Sequence, residues 1–442
     1  MMKDLFRKLA KTISQKTQTV MAGEEVPSHQ GVASSSPSGQ SKERMEVEQQ
    51  SGLQPICFFF AAHQPNWLKP YDFFDIGNDP FYEDDEANKR QLDEVCEKCY
   101  LPANKLLTQL IEEGRGQFRI SLSISGVLIE KLEILRPDVL ESFQKLHATG
   151  GVEILAETYY CAMPFHRSRE EFAEQVALHT DKVAQVFGVV PKAFCHTACV
   201  YYNELAGYVE SLGFESMLAE AVSQVLGGRE ANHLYRSPNC KTMKTHLRNG
   251  ILSDDLALRF GSQSWEEHPL TAEKFAAWCQ CNGGEVVNLF MDYECLGFHQ
   301  EAGTGIFDFF RAFPRAWEDL GGRFVTISDS AHELGVRGEY DCHEATSWAD
   351  VEKDLSAWKG NVMQQEASRK ILIMEEKVKA QRDPELLHQW RKMQTAEHFY
   401  YMSTKGGDSG EIHDQRRPYS SAYEAYLYFM NALSDLQIRL KD

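Results

Sequence analysis

The stretch EVVNLFMDYECLGFHQ, Glu285 to Gln300, decides how this chain is read. Val286, Val287, Leu289, Phe290 and Met291 form a nearly continuous apolar run, the pattern of a strand covered on both faces. The run stops abruptly at Asp292, Tyr293 and Glu294, followed by Gly297 and His299. A buried strand that turns acidic and polar at its end is what the active rim of a (β/α) barrel looks like in sequence. Asp292 and Glu294 are two residues apart, so they share a face if the strand runs that far.

Working outward, the same form recurs. Strands are expected at residues 56–62, 118–125, 152–156, 193–200 and 216–219. Further short strands are expected at 243–247, 255–260 and 323–327. Helical periodicity lies between them, at residues 89–113, 137–147, 170–187, 203–212 and 307–320. Polar residues recur where the strands end: His63-Gln64, Glu157, His196-Thr197 and Asp292-Glu294. Alternating strands and helices with right-handed crossovers give a parallel sheet, either a barrel or an open doubly wound sheet. Recurrence of polar residues at several strand ends favours the barrel. No GxGxxG or GxxxxGK[ST] follows an early strand, which removes support for a nucleotide-binding fold. Residues 348–365, 383–399 and 420–440 read as helices, so the C-terminal quarter is helical.

The organisation expected is a disordered tail at 1–53, a barrel at 54–340 and a helical region at 341–442 packed on it. Within the tail, residues 1–21 offer a basic amphipathic helix, with Leu5, Phe6, Leu9 and Ile13 on one side. Residues 24–50 are rich in Ser, Gly, Gln and Glu and read as a linker. The formal net charge of −19 argues against nucleic acid and anionic membranes as partners. The 11 cysteines are odd in number and scattered; Cys96 and Cys99 form a CxxC and Cys279 and Cys281 lie close together, but no second pair stands at zinc-finger spacing. Reduced thiols in a cytoplasmic protein are expected rather than disulfides or zinc. No apolar run of about 18 residues exists to span a membrane.

Five segments in order then carry a resemblance: AAHQPN at 61–66, GGVEILAETYY at 150–160, FCHTACVYYN at 194–203, LFMDYECLGFHQ at 289–300 and SWADVEKDLSAWKGNVMQ at 347–364. TAEHFYYMSTKG at 395–406 and PYSSAYEAYLYFMNALSDL at 418–436 extend it. The chain resembles glycoside hydrolase family 57, within it the α-amylase branch. That resemblance implies an α/β fold, an incomplete seven-stranded (β/α) barrel followed by a C-terminal helical region. It implies retaining chemistry on α-1,4-glucans without a metal or organic cofactor, and an α-glucan oligo- or polysaccharide as the partner.

The resemblance places Asp292 at the acid/base position and Ala198 where the family carries its nucleophilic Glu. A methyl group cannot attack a sugar. Cys161 stands where the branch usually has His, and His196 where it usually has Asn. Cys295, Leu296 and Phe298 replace the usual Thr, Phe and Glu. Glu157, Glu204 and Glu294 are the nearby carboxylates that could replace the nucleophile, none with a strong claim. His63, Gln64, Glu157, Glu294, His299, Trp348 and Asp350 are the candidate sugar contacts. Trp348 and Asp350 are expected to begin a helix, and Trp67 and Trp265 are the candidate stacking platforms. Two functions fit: a glucan-binding protein with lost or much reduced hydrolysis, or an active α-amylase or 4-α-glucanotransferase-type enzyme with a rearranged nucleophile.

Overall fold

A computed structural model describes residues 53–440. The tail and amphipathic helix expected before Leu53 lie outside the described residues.

The apolar run at residues 286–291 lies in strand β8, Val287–Asp292, with every residue of the strand but the last buried. It pairs in parallel with β1, Ile56–Ala62, which pairs with β2, Ile120–Ile124, and β2 with β3, Val152–Ile154. Alternation along β1 explains why its apolar run is unbroken. Phe58 and Phe60 face the outer helices, where Phe58 meets Phe310 and Phe313 at ring distances of 5.7 and 6.0 Å. Cys57 and Phe59 face inward into a separate cluster with Leu155, Cys195, Leu218 and Phe290. Both faces are dry, so both carry apolar side chains.

A second sheet runs β4 (Ala193–Phe194), β5 (Ser216–Glu220), β7 (Lys244–Arg248), β6 (Leu234–Arg236), β9 (Val336–Glu339). The two sheets curve into one incomplete ring. At one seam, Ala156 pairs with Phe194, with Cys195 N donating to Ala156 O at 2.9 Å. At the other, Asn288 of β8 donates from Nδ2 to Leu247 O of β7 at 3.0 Å. Strands β1, β2, β3, β4, β5, β7 and β8 make the incomplete seven-stranded barrel. Strand β6 runs antiparallel to β7, and β9 extends it outside the ring.

Several expectations fail. Residues 193–200 are strand only at Ala193–Phe194; the chain then bends through a 3-10 turn at Thr197–Cys199. Residues 255–260 are not a strand. Gly250–Asp254 is α-helix and Asp255–Arg259 continues it, because a short apolar run does not reveal its period. Residues 323–327 supply one bridge, Ile56 to Phe324, before Thr326 caps the helix Ile327–Glu333 with a capping box. Residues 348–365 are not one helix. Trp348 and Asp350 lie in turns, and helices begin at Ser356 and Val362.

The C-terminal helices form their own core around Trp390, Ile371, Phe399, Phe429 and Leu433. The helix Ala422–Arg439 closes it, with Ser421 accepting from Glu424 N at its start. This layer is joined to the barrel by buried charge. Arg391 forks onto Glu171, Nε to Oε1 at 2.8 Å and Nη2 to Oε2 at 3.0 Å. Lys379 also reaches Glu171, at 3.1 Å. Ten of the cysteines are buried, and Cys281 is exposed. Among the described residues, no helix is long and apolar enough to cross a membrane.

Candidate active site

Parallel strands all present their C-terminal ends to one rim, and the candidate residues gather there. Asp292 is the last residue of β8, paired in register with Ala61 and half-buried. The strand stops there. Residues Tyr293–Cys295 form a 3-10 turn, so Glu294 does not share a face with Asp292 as strand spacing suggested. Glu294 turns back into the wall instead. Its Oε1 accepts from Tyr100 Oη at 2.5 Å, Gln64 Nε2 at 3.2 Å and His63 N at 3.4 Å. Burial, and then the charge of Asp292, push its carboxyl up to about 7 against those hydrogen bonds. Glu294 therefore fixes Gln64 and the backbone of His63. Gly297 follows at φ 106, packed against Lys98 O and the Phe307 ring, a place only glycine fits.

Glu157 follows β3 and is buried. Its N–H donates to His179 Nδ1 at 3.3 Å, and His179 Nε2 bonds Ile124 O at 2.9 Å, so a neutral imidazole ties β2 to β3. Burial lowers His179 to about 4, consistent with that neutral form. Burial likewise pushes the Glu157 carboxyl up to about 8. Glu157 is thus mostly protonated at neutral pH and can donate as well as accept. The linkage sign follows. The folded chain holds this proton where the unfolded chain has released it, between the ordinary 4.5 and about 8. The associated stability is present below 4.5 and is lost as pH rises through 8. Glu157→Gln is expected to flatten that fall, measured as urea midpoints across the window; an unchanged slope would refute the assignment.

The turn at Ala198 has its own geometry. Ala198 and Cys199 have φ of 50° and 52°, left-handed values that cost a non-glycine residue energy. Ala198 O accepts from Trp348 N at 3.0 Å, which holds the turn against the loop from residue 346 on. Beneath Trp348 lies Arg248, its guanidinium 5.7 Å from the ring. Arg248 donates to Glu220 Oε2 at 3.2 Å and to Phe290 O at 2.8 Å, and Lys353 reaches the other oxygen of Glu220. The rim is therefore braced by a buried ion network at the ends of β5 and β7.

The other candidates are less central. The carboxylate of Asp350 is occupied by Lys405 Nζ at 2.6 Å and His413 Nε2 at 3.0 Å. It pins a C-terminal segment rather than starting a helix. His299 is exposed, its ring 5.4 Å from Phe298, whose own side chain packs on the main core. Glu204 pairs with Arg169 on the outside of the barrel. Trp67 donates to Tyr401 Oη at 3.2 Å, and Trp265 packs edge-on to Trp278.

One residue that sequence reasoning missed stands at the centre. Glu397, from the helix Ala396–Tyr400, sends Oε2 to within 3.4 Å of His63 Nε2. Cys161 lies among the carboxyl groups of Glu397, Glu157 and Asp292. The only signal was its place within TAEHFYYMSTKG, a C-terminal segment that helical periodicity had assigned to packing.

The sequence profile of Glycosyl hydrolase family 57 matches residues 57–343. The chain belongs to this family. A provisionally named alpha-amylase of Methanocaldococcus jannaschii, similar to this family 57 chain, is 35% identical over 403 residues, 88% of this chain and 85% of that one. The family 57 branching enzyme of Pyrococcus horikoshii has a similar fold, with TM-score 0.60 and 16% identity over 82% of this chain and 87% of that one. So does the 4-alpha-glucanotransferase of Thermococcus litoralis, with TM-score 0.59 and 16% identity over 86% of this chain and 60% of that one. The incomplete barrel with appended helices is therefore the family 57 architecture.

Proposed function

We propose that this family 57 protein binds α-1,4-glucans at the barrel rim and has lost, or nearly lost, retaining hydrolysis. The observation that carries this is Ala198. The turn that should present a nucleophile keeps a left-handed backbone but ends in a methyl group. Retaining hydrolysis needs two carboxyl groups about 5–5.5 Å apart, one attacking the anomeric carbon and one protonating the leaving oxygen. Asp292 supplies only the second role. His63, Gln64, Glu157 and Asp292 remain to meet sugar hydroxyls, with Trp348 beside the turn. Reduced cysteines support a cytoplasmic setting, and the reading calls for no organic cofactor.

One observation favours the alternative, an α-amylase or glucanotransferase with a rearranged site. The carboxyls of Glu157 and Glu397 gather with Asp292 around Cys161, so the acid is not the only carboxyl on this wall of the rim.

Binding is tested by calorimetry with maltoheptaose in buffer containing a chelator. Heat is expected from the natural chain. His63→Ala is expected to weaken binding by about 1–2 kcal/mol, the cost of a lost hydrogen bond that strands its partner. No heat with any α-glucan would sink the binding reading.

A further inference from the structure

We propose that His63, Cys161 and Glu397 form a binding site for one divalent transition cation, zinc by preference. The family resemblance implies a site without metal, so this goes beyond it and does not depend on glucan binding.

A ligand nitrogen of His63, Sγ of Cys161 and a carboxylate oxygen of Glu397 all lie within 4.8 Å of one another. His63 Nδ1 is occupied by Ser125 Oγ at 2.7 Å, which orients the ring and leaves Nε2 as the inward atom. Nε2 is 3.4 Å from Glu397 Oε2, close enough for an ion pair. Yet both atoms are buried and neither has a hydrogen-bond partner, because the alignment is poor. Buried polar atoms are nearly always satisfied, so a facing pair of orphans calls for a third party. A cation contacting both, and the adjacent thiol, satisfies all three.

The three donors are held firmly by separate elements. Cys161 sits at φ 50°, a strained value that its surroundings must enforce. Its carbonyl accepts from Ala396 N at 3.0 Å, and Thr395 Oγ1 donates to Tyr160 O at 3.1 Å. These bonds, with the Ala162–Thr395 bridge, stitch the thiol loop to the start of the helix bearing Glu397. His63 is fixed at the end of β1 by Glu294 and Ser125. Preorganised ligands on different elements are what a metal site requires.

The donor set selects the ion. One imidazole, one thiolate and one carboxylate suit a borderline cation, whereas magnesium and calcium prefer oxygen alone. Three protein ligands with a further position open is the usual form of a non-structural zinc site. Binding converts the Cys161 thiol to a thiolate and releases its proton to solvent. The thiolate and the Glu397 carboxylate then balance the charge of the ion.

The test is titration of tag-free, chelator-treated full-length protein with cobalt(II) chloride, which reports thiolate ligation by a near-ultraviolet charge-transfer band. Saturation at one cobalt per chain with that band, and its loss on adding zinc, is expected. Cys161→Ser should abolish the band and weaken uptake by at least about tenfold. Cys161→His should keep uptake at one per chain without the band. Cys281→Ser, which removes the exposed thiol, should change neither. The natural chain needs no variant to fail the test: absence of stoichiometric uptake means the cluster is only an ion pair beside a thiol. A band that survives Cys161→Ser, or vanishes with Cys281→Ser, places the metal elsewhere and overturns the proposal.

Discussion

Ala198→Glu alone is expected to restore only a trace of reducing-sugar release from maltoheptaose, over a natural chain that shows little or none. Loss of a nucleophile that acts as part of a unit costs on the order of 10⁴ to 10⁶ in rate. The backbone is ready for the residue: the turn at 198 keeps φ 50°, and Trp348 N holds its carbonyl at 3.0 Å. The neighbours are not ready. An attacking carboxylate must be held within about 0.5 Å of its productive place. Around it stand His196, whose Nδ1 accepts from Thr197 N at 2.9 Å, and Cys161, aimed at His63 and Glu397 instead. Phe298 packs on the core and His299 and offers no polar atom. Ala198→Glu combined with Phe298→Glu and Cys161→His is therefore expected to exceed the single change, with Asp292→Asn abolishing activity in each background. Robust turnover by the natural chain, abolished by Asp292→Asn, would show that another group fills the role of nucleophile.

Arg391→Ala is expected to destabilise the fold by about 3–5 kcal/mol, because it strands a carboxylate removed from water. Glu171 is fully buried, and the Arg391 fork supplies two of its hydrogen bonds. Lys379 stays within 3.1 Å, which points to the lower end of that range. Arg391→Lys should recover part of the loss, since an ammonium cannot reproduce the bidentate geometry. The measurement is the urea midpoint at constant slope. A shift below about 1 kcal/mol would mean that this junction behaves like an exposed ion pair.

What the sequence revealed followed burial. Strands β1 and β8 were legible because both faces are dry and their apolar runs are unbroken. The rim places of Asp292, His63 and Gln64 were legible because these residues end or follow those runs, and that of Glu157 because it follows β3. Where the chain bends without a glycine the reading failed. Cys195 to Val200 looks like a continued strand, but left-handed Ala198 and Cys199 turn it, and no composition signal marks that strain. Residues 255–260 were too short to show a helical period. Strand β6 escaped because three residues pairing antiparallel to β7 carry little pattern. Glu397 and Ser125 were missed for another reason: each contributes a side chain from an element whose periodicity speaks only of packing or capping. Glu294 was found but misplaced, because residue spacing shows a face only while the strand lasts.

The near-complete burial of the cysteines makes the chain its own clock for opening. A disulfide reagent added to the folded protein meets Cys281 at once, and the ten other thiols only when the structure around them parts. The slow phase of labelling thus times local and global unfolding without any introduced probe. Its order, thiol by thiol, would separate release of the barrel interior at Cys57 and Cys195 from release of the outer helical layer at Cys96, Cys99 and Cys279. The same asymmetry offers Cys281 as a single natural attachment point for a dye or a surface, at the end of the helix Ala272–Cys281.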